Sequence, residues 1–380
     1  MELQILIRGQ SNAILFTEAD GYAGASRLAA EVQRLLGFDG VADSVRILYA
    51  RGEEDRGTAH AATAFLGEWM QRAPDGTWQP AALELGLLRS AAELNNPAAA
   101  ATSVLWLHSE YDSRRADLTY EEWTAAVRTD AALLRSTLGG SAANIPYHFV
   151  SAHPYSGGTP EGHQAIRIGM EALAADPAFN ARIAARALDV DVSADDNDGN
   201  RDTIDYGGAH IATVDALLIA DRAARTIAED WAAYARPGSP VLAAGGDIAD
   251  VGPRVLAAER IGPDTLRLSV AQDQGGGFAP LDPDAARGIG WEVYSASAPP
   301  VAAQAAVVQG PGTLDLVFAG PLPEAGGVLY YGYGYGRLAV GDAPGQGNAI
   351  TDQTGLPIWT PAGGILIGAS AVQNDALWLQ

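Results

Sequence analysis

The feature that most constrains the fold is a regular alternation of short apolar segments with longer amphipathic ones over the first 235 or so residues. The short segments have the length of strands and lie at Glu2–Ile7, Val45–Ala50, Ser103–Leu107, Tyr147–Ala152 and Leu188–Val192. Helix-like segments lie between and after them, at Ala23–Leu36, from Thr119 to Gly140, from Thr159 onward, and at Thr213–Tyr234. Strands that alternate with helices predict a parallel sheet covered on both faces. We therefore predict a doubly wound α/β domain over residues 1–236.

Two of the predicted helices carry clear start signals. Thr119 is followed three residues later by Glu122, which is the spacing of a capping box. Thr159 precedes Pro160, and proline is well suited to the first position of a helix. Both threonines are therefore predicted to cap the helices that follow them.

The composition and pattern of the sequence change at residues 235–240, which are Ala-Arg-Pro-Gly-Ser-Pro. Beyond this point the chain is rich in glycine and proline, with short alternating segments such as Thr265–Val270 and Thr313–Phe318. We predict a smaller all-β sandwich domain over residues 241–380, serving as an accessory or facing carbohydrate. The segment Tyr330–Gly336 is interpreted as an aromatic strand, with a platform for sugar stacking as the alternative.

Two missing residue types exclude much chemistry. The chain of 380 residues has no cysteine, and all 24 of its basic side chains are arginines. Thiol nucleophiles, thiolate metal sites, Schiff-base lysines and P-loop lysines are therefore excluded. We expect an oxygen nucleophile, a carboxylate or histidine base, no cofactor and no catalytic metal.

The formal net charge of −22 bears on partners. Such a surface repels phosphate backbones and anionic lipids, so neither nucleic acid nor a membrane is an expected partner. No apolar run is long enough for a membrane span, and the first residues lack the basic region of a signal peptide. The sequence leaves the oligomeric state open, and the bacterial cytoplasm, the periplasm and the exterior all remain open as locations.

Three segments follow or flank predicted elements and carry residues suited to catalysis. Ser11 comes directly after the first strand, in Gly9-Gln10-Ser11-Asn12, where glycine permits a sharp turn. The segment Trp106–Asp112 follows a central strand, and His210 precedes the last helix of the α/β domain. Ligands of parallel sheets bind beyond the carboxyl ends of the strands, so Ser11 and His210 are predicted to meet at that edge.

These segments resemble the blocks of the SGNH hydrolase superfamily, in particular its sialate O-acetylesterase and acetylxylan esterase branch. Residues 9–12 match the first block, Gly-Gln-Ser-Asn, in full. The third block, Trp-x-Gln-Gly-Glu-Ser-Asp, is matched at Trp106, Glu110 and Asp112, whereas His108, Ser109 and Tyr111 depart from it. In the last block, Asp-x-x-His, His210 matches and Gly207 stands in place of the aspartate. The resemblance covers roughly residues 3–233 and implies a flavodoxin-like three-layer fold.

The resemblance implies a role for each matched residue. Ser11 would be the nucleophile, with its backbone N–H as one oxyanion donor, and His210 the general base and acid. His108 and Ser109 would line the oxyanion hole or orient the acyl group. Asp205 or Glu110 would be the triad acid, and a Ser–His dyad is the third reading.

We therefore expect a serine esterase that removes O-acetyl or other short acyl groups from a carbohydrate through an acyl-enzyme. The alternatives are a non-catalytic carbohydrate-binding or assembly protein that retains the fold, and a lipase or thioesterase on the same scaffold. Among the other histidines, His148 is predicted in the core, His163 as structural or exposed, and His153 as able to reach the cleft. The acidic segment Asp195–Asp202 is interpreted as a solvated loop, with a structural calcium site as the alternative.

Overall fold

The computed structural model describes two compact units. The described residues are 1–18, 23–49, 64–151, 155, 157–189, 192–193, 210–274, 276–323, 326–334, 338 and 349–377. The first unit comprises Met1–Ala187 with Val192–Ile248, and the second comprises Leu188–Asp191 with Ala249–Gln380.

The first unit is an α/β domain. Its strands are β1 (Glu2–Gly9), β2 (Ser44–Tyr49), β3 (Met70–Arg72), β4 (Trp78–Pro80), β5 (Ala101–Leu107), β6 (Tyr147–Val150), β7 (Ala181–Ala185), β8 (Val192–Ser193) and β9 (His210–Ile211). Its helices are α1 (Ser11–Glu18), α2 (Gly24–Leu36), α3 (Ala82–Leu94), α4 (Tyr120–Thr137), α5 (Pro160–Ala175), α6 (Thr213–Asp230) and α7 (Pro240–Ala243). Shorter helical turns lie at Phe65–Trp69, Glu110–Arg114 and Ala232–Tyr234.

Five of these strands form one parallel sheet in the order β2-β1-β5-β6-β7. Helix α2 packs against α6, whereas α3, α4 and α5 pack side by side. Leu6, Val104 and Phe149 of the sheet share one apolar core with residues of the latter three helices, among them Trp123 and Ile166. The predicted parallel α/β architecture is confirmed, and it brings the carboxyl ends of β1 and β5 side by side.

Both predicted helix caps are present. Glu122 N donates to Thr119 Oγ1 at 3.1 Å, and Gly162 N donates to Thr159 Oγ1 at 3.1 Å. The side chain of Glu122 binds Arg115, with Nη2 and Oε2 2.9 Å apart. Glu122, the glutamate of the capping-box spacing, therefore forms an ion pair with a nearby arginine.

The fifth strand differs from the prediction. The strand that pairs with β6 is β7, Ala181–Ala185, and not Leu188–Val192. The alternation of Leu-Asp-Val-Asp-Val is typical of a strand, but Leu188 packs in the core of the second unit. The alanine-rich β7 gives a weak local signal because alanine has a low strand preference.

The second unit is an all-β domain, as predicted. Its strands are β10 (Arg254–Arg260), β11 (Thr265–Ala271), β12 (Trp291–Ser295), β13 (Ala298–Gly310), β14 (Thr313–Phe318), β15 (Val328–Tyr331) and β16 (Ile365–Leu366), with helices α8 (Pro283–Ala286) and α9 (Ala371–Leu377). The seven strands form one antiparallel sheet in the order β10-β11-β14-β13-β12-β15-β16. This sheet curls so that β16 lies against β10. Leu266 and Leu268 alternate into its core with polar residues facing out.

The tyrosines of the predicted aromatic strand face two ways. Tyr331 is buried and stacks on Trp291, with ring centroids 4.2 Å apart. Tyr330 lies on the other face, where its ring contacts those of Tyr294 and Tyr333. Neighbouring strand positions point to opposite faces, so one tyrosine packs in the core and the next lies at the surface.

Among the described residues, no helix combines the length and the apolar character needed to cross a membrane.

Candidate functional site

The turn between β1 and α1 places Ser11 at the carboxyl edge of the sheet. Ser11 is the first residue of α1 and is half-buried. A Cβ atom added at Gly9 would lie 1.8 Å from the carbonyl oxygen of Leu107 and 2.9 Å from Cβ of Ala13. Only glycine therefore allows β1 and β5 to approach so closely here. Because α1 starts at Ser11, the positive end of its helix dipole lies at this edge of the sheet, where it favours developing negative charge.

The side chain of Asn12 joins the other two segments of the site. Its Nδ2 donates to Glu110 Oε1 at 2.9 Å, and its Oδ1 accepts from the backbone N–H of Ile211 at 3.0 Å. Asn12 and Glu110 are both buried, at 1% and 4% exposure. Ser11 and His210 are therefore each the sequence neighbour of a residue in the Asn12–Ile211 hydrogen bond, which links α1 to β9.

His210 lies on β9, which pairs with β8 through Ser193. Burial lowers the pKa of His210 below its ordinary value of 6.5, and the nearby carboxylate of Glu110 raises it in part. Its Nδ1 atom is buried and has no hydrogen-bond partner among the described residues. A neutral imidazole at neutral pH is the form that accepts a proton.

His108 lies in a buried aromatic cluster. Its ring centroid is 5.4 Å from that of Phe65, 4.9 Å from that of Trp69 and 5.5 Å from that of Trp106. Its Nδ1 is 3.5 Å from Nη2 of Arg8. Burial and then the charge of Arg8 hold the pKa of His108 well below its usual range. The imidazole is therefore neutral, and only 1% of the residue is exposed.

Ser109 is fully buried, and its hydroxyl accepts a hydrogen bond from Nε1 of Trp123 at 2.9 Å. The indole of Trp123 belongs to α4, so this bond fixes the segment after β5 to that helix.

A charged cluster lies beneath the site, and no pattern in the sequence identifies it. The side chains of Arg8, Glu84 and Asp130 are completely buried, and Arg8 pairs with Asp130 and, at 3.4 Å, with Glu84. The Arg8 guanidinium also lies 4.5 Å from the centroid of the Trp106 ring. Burial and then the charge of Asp130 raise the pKa of Glu84 well above its usual range. Burial therefore favours the neutral form of Glu84 in a cluster where two carboxyl groups face one guanidinium.

Asp112 connects two turns at the edge of the site. Its carboxylate accepts from the backbone N–H of Phe65 at 2.9 Å and from that of Leu66 at 3.0 Å. Burial raises the pKa of Asp112 to about 7, although both backbone hydrogen bonds oppose this. The sequence analysis singled out Asp112 as part of the Trp106–Asp112 segment. It did not predict these partners, which lie more than 40 residues earlier in the chain.

The other residues singled out from the sequence include some that the structure does not describe. Asp205, Gly207, His153 and the acidic segment Asp195–Asp202 fall outside the described residues. His148 is buried as predicted, with Nε2 2.8 Å from Oδ2 of Asp230. His163 is also buried, with Nε2 2.9 Å from the carbonyl oxygen of Tyr155. In the described part of the chain, no group of three histidine or carboxylate residues is arranged to hold a metal ion.

The described residues thus provide a hydroxyl at a helix start and a neutral imidazole influenced by a buried carboxylate. The carboxamide of Asn12 links the segments that carry these groups through hydrogen bonds. This is a set of groups suited to nucleophilic attack and proton transfer.

Comparisons with known proteins support the fold. No protein-family model matches the sequence, and no curated protein sequence matches it either. A solved structure, that of the carbohydrate acetylesterase XAC1771 from Xanthomonas citri, matches 93% of this chain and 79% of its own, with a TM-score of 0.53 and 13% identity. The bacterial S-layer protein SbsC matches 30% of this chain and 16% of its own at a TM-score of 0.18, too slight a likeness to bear on the fold. The chain therefore shares the overall architecture of a carbohydrate acetylesterase.

Proposed function

We propose that this chain is a serine esterase that removes O-acetyl groups from a carbohydrate. The observation that carries the proposal is that Asn12, the neighbour of Ser11, donates to Glu110 and accepts from the backbone N–H of Ile211, the neighbour of His210. The likeness to a carbohydrate acetylesterase and the resemblance of the three sequence blocks to SGNH hydrolases both support it.

In the proposed reaction, Ser11 Oγ attacks the ester carbonyl while His210 accepts the hydroxyl proton. The N–H of Ser11, together with the backbone at Ser109 or the ring of His108, would stabilise the oxyanion or orient the acyl group. The C–O bond to the sugar then breaks, and His210 returns the proton to the leaving hydroxyl. Water, deprotonated by His210, attacks the acyl-enzyme and releases acetate, which restores Ser11.

The third member of the triad is proposed to be Glu110 or Asp205. Glu110 is favoured by its electrostatic effect on His210, since its carboxylate raises the pKa of that imidazole. Asp205 is favoured by its place in the last sequence block. The variants Glu110→Gln and Asp205→Asn separate them, because loss of the triad acid lowers kcat by orders of magnitude.

Hydrolysis of p-nitrophenyl acetate by the intact chain tests the proposal. We expect wild type to release p-nitrophenol and to react covalently with a fluorophosphonate at Ser11. Ser11→Ala and His210→Ala should each reduce kcat/KM by about a thousandfold or more. Ser26→Ala is the matched control, since Ser26 is exposed on α2 and should leave the rate unchanged.

The outcomes also separate the other functions. Faster hydrolysis of octanoate than of acetate esters would indicate a lipase or thioesterase. No turnover of any ester, with retained binding to a glycan array, would indicate a carbohydrate-binding protein. Full activity in Ser11→Ala would refute the proposed mechanism.

A further inference from the structure

Two tyrosines form an aromatic pair beside the turn that carries Ser11. The ring centroids of Tyr111 and Tyr155 are 5.7 Å apart, with an angle of 40° between the planes, and both residues are half-buried. Tyr111 follows Glu110 directly, and its backbone N–H donates to Oε1 of Gln10 at 3.2 Å. Gln10 is in turn the residue before Ser11, so the aromatic pair is held close to the proposed nucleophile.

Arg114 lies over this aromatic pair. Its guanidinium carbon is 4.9 Å from the centroid of the Tyr111 ring, and its Nη1 donates to the Tyr111 hydroxyl. The next residue, Arg115, is engaged by Glu122 and Asp117 at 2.9 Å and 3.4 Å. Arg114 is exposed and, within the described ranges, has no carboxylate at ion-pair distance. Several of its five N–H donors therefore remain for a ligand.

This combination suits one chemical class. A half-exposed aromatic ring offers an apolar face with a polar edge, which matches the C–H face and the hydroxyl rim of a sugar ring. A guanidinium beside it donates to hydroxyl or carbonyl oxygens in a fixed geometry. An acyclic ester lacks the flat C–H face, so the aromatic pair would gain little by contacting it.

We propose that Tyr111, Tyr155 and Arg114 form a subsite that stacks a sugar ring of the acetylated carbohydrate beside Ser11. The inference rests on the proposed esterase function and deepens it by assigning residues that select a cyclic substrate. Tyr111 stands where the resembled sequence block has serine, so the subsite is a feature of this chain's own sequence.

The test compares two polyol acetates, glucose pentaacetate with its ring and glyceryl triacetate without one. The measured quantity is the ratio of kcat/KM for the first to kcat/KM for the second. Tyr111→Ala and Tyr155→Ala should each lower this ratio by about tenfold, since one stacking ring contributes on that scale, mainly through KM. Tyr111→Phe should keep the ratio near that of wild type, because it retains the ring.

Tyr234→Ala is the matched control. Tyr234 is also half-buried, but its hydroxyl bonds the carbonyl of Ala100 at the opposite end of β5, so the ratio should not change. An unchanged ratio in both Tyr111→Ala and Tyr155→Ala, with triacetate hydrolysis intact, would overturn the subsite and leave the esterase function standing.

If wild type hydrolyses neither ester, the esterase function fails and calorimetry of the intact protein with xylohexaose and chitohexaose decides the subsite. Binding of either sugar that is lost in Tyr111→Ala supports it. Binding unaffected by Tyr111→Ala, or no binding of either sugar, refutes it.

Discussion

At the scale of single residues, a carboxamide at position 12 does what neither a carboxylate nor an aliphatic side chain could do. It donates to Glu110 and accepts from the backbone of Ile211 at the same time, which requires one N–H donor and one carbonyl acceptor. An aspartate there would place a second negative charge against Glu110 in a buried setting. The choice of asparagine therefore has a local electrostatic reason, independent of any family resemblance.

The proton equilibrium of His210 gives the residue-scale prediction. Burial lowers the pKa of its imidazole and the Glu110 carboxylate raises it, so the net pKa lies below 6.5. In the proposed mechanism only the neutral ring accepts the Ser11 proton, so kcat/KM for p-nitrophenyl acetate should fall on the acid side with a midpoint below that value. In Glu110→Gln the raising influence is lost, and the midpoint should move to still lower pH.

Glu121→Gln is the control for this prediction. Glu121 is exposed on α4, so this variant should leave the midpoint of the acid-side fall in kcat/KM unchanged. The pH profile of Glu110→Gln is traced from its residual activity, with kcat/KM plotted on an expanded scale. A midpoint that stays where it was, or rises, would show that Glu110 does not act on the imidazole of His210.

At the scale of elements, the carboxylate of Asp112 ties the helical turn Glu110–Arg114 to the turn Phe65–Trp69. Its folded pKa of about 7 lies above the ordinary 3.8, so the folded state retains a proton that the unfolded state releases. The stability linked to this proton is full in acid and is lost as the pH rises through about 7. Asp112→Asn cannot titrate, so the excess of wild type over this variant in unfolding free energy should be larger at pH 5 than at pH 8, by roughly 1–3 kcal/mol.

Asp39 allows the opposite case to be measured by the same urea unfolding curves. It accepts three backbone N–H groups, of Val41, Ala42 and Asp43, but it is exposed and its pKa is lowered. Its stabilising effect is therefore present at neutral pH and lost in acid, so Asp39→Asn should differ from wild type most at neutral pH. If both variants followed the same pH trend, burial would not be the cause of the Asp112 shift.

The elements of the first unit show what a sequence can and cannot predict here. The caps at Thr119 and Thr159 depend on residues within four positions, and both were predicted correctly. The strand Ala181–Ala185 was missed because its alanines give little local signal, and α3 was not predicted. The salt-bridge partners of Arg8 lie 76 and 122 residues away, and no local pattern identifies them. The roles of Ser11 and His210 came from family blocks and remain predictions.

At the scale of the whole molecule, the excess of 22 negative charges sets how stability depends on salt. Like charges repel more strongly in the compact state than in the expanded one. Raising sodium chloride shortens the screening length from about 30 Å at 0.01 M to about 8 Å at 0.15 M. We therefore expect the thermal midpoint at neutral pH to rise over this range in scanning calorimetry.

The same scan nearer the isoelectric point, about 4.5, serves as its control. There the carboxylates are partly neutralised, so the dependence on salt should weaken. A midpoint that falls with salt at neutral pH would mean that favourable ion pairs, such as that of Arg27 with Asp221, outweigh the repulsion.

The bonds of Asn12 have a consequence for how the molecule reaches its working form. One spans 98 residues of chain and the other 199, so neither is made until most of the first unit has come together. Contacts of such long range form late in folding, because the entropy of closing the intervening loops must be overcome first. For the proposed esterase, the arrangement of Ser11 and His210 that the reaction needs would therefore be completed late, after the helices and strands around it have formed.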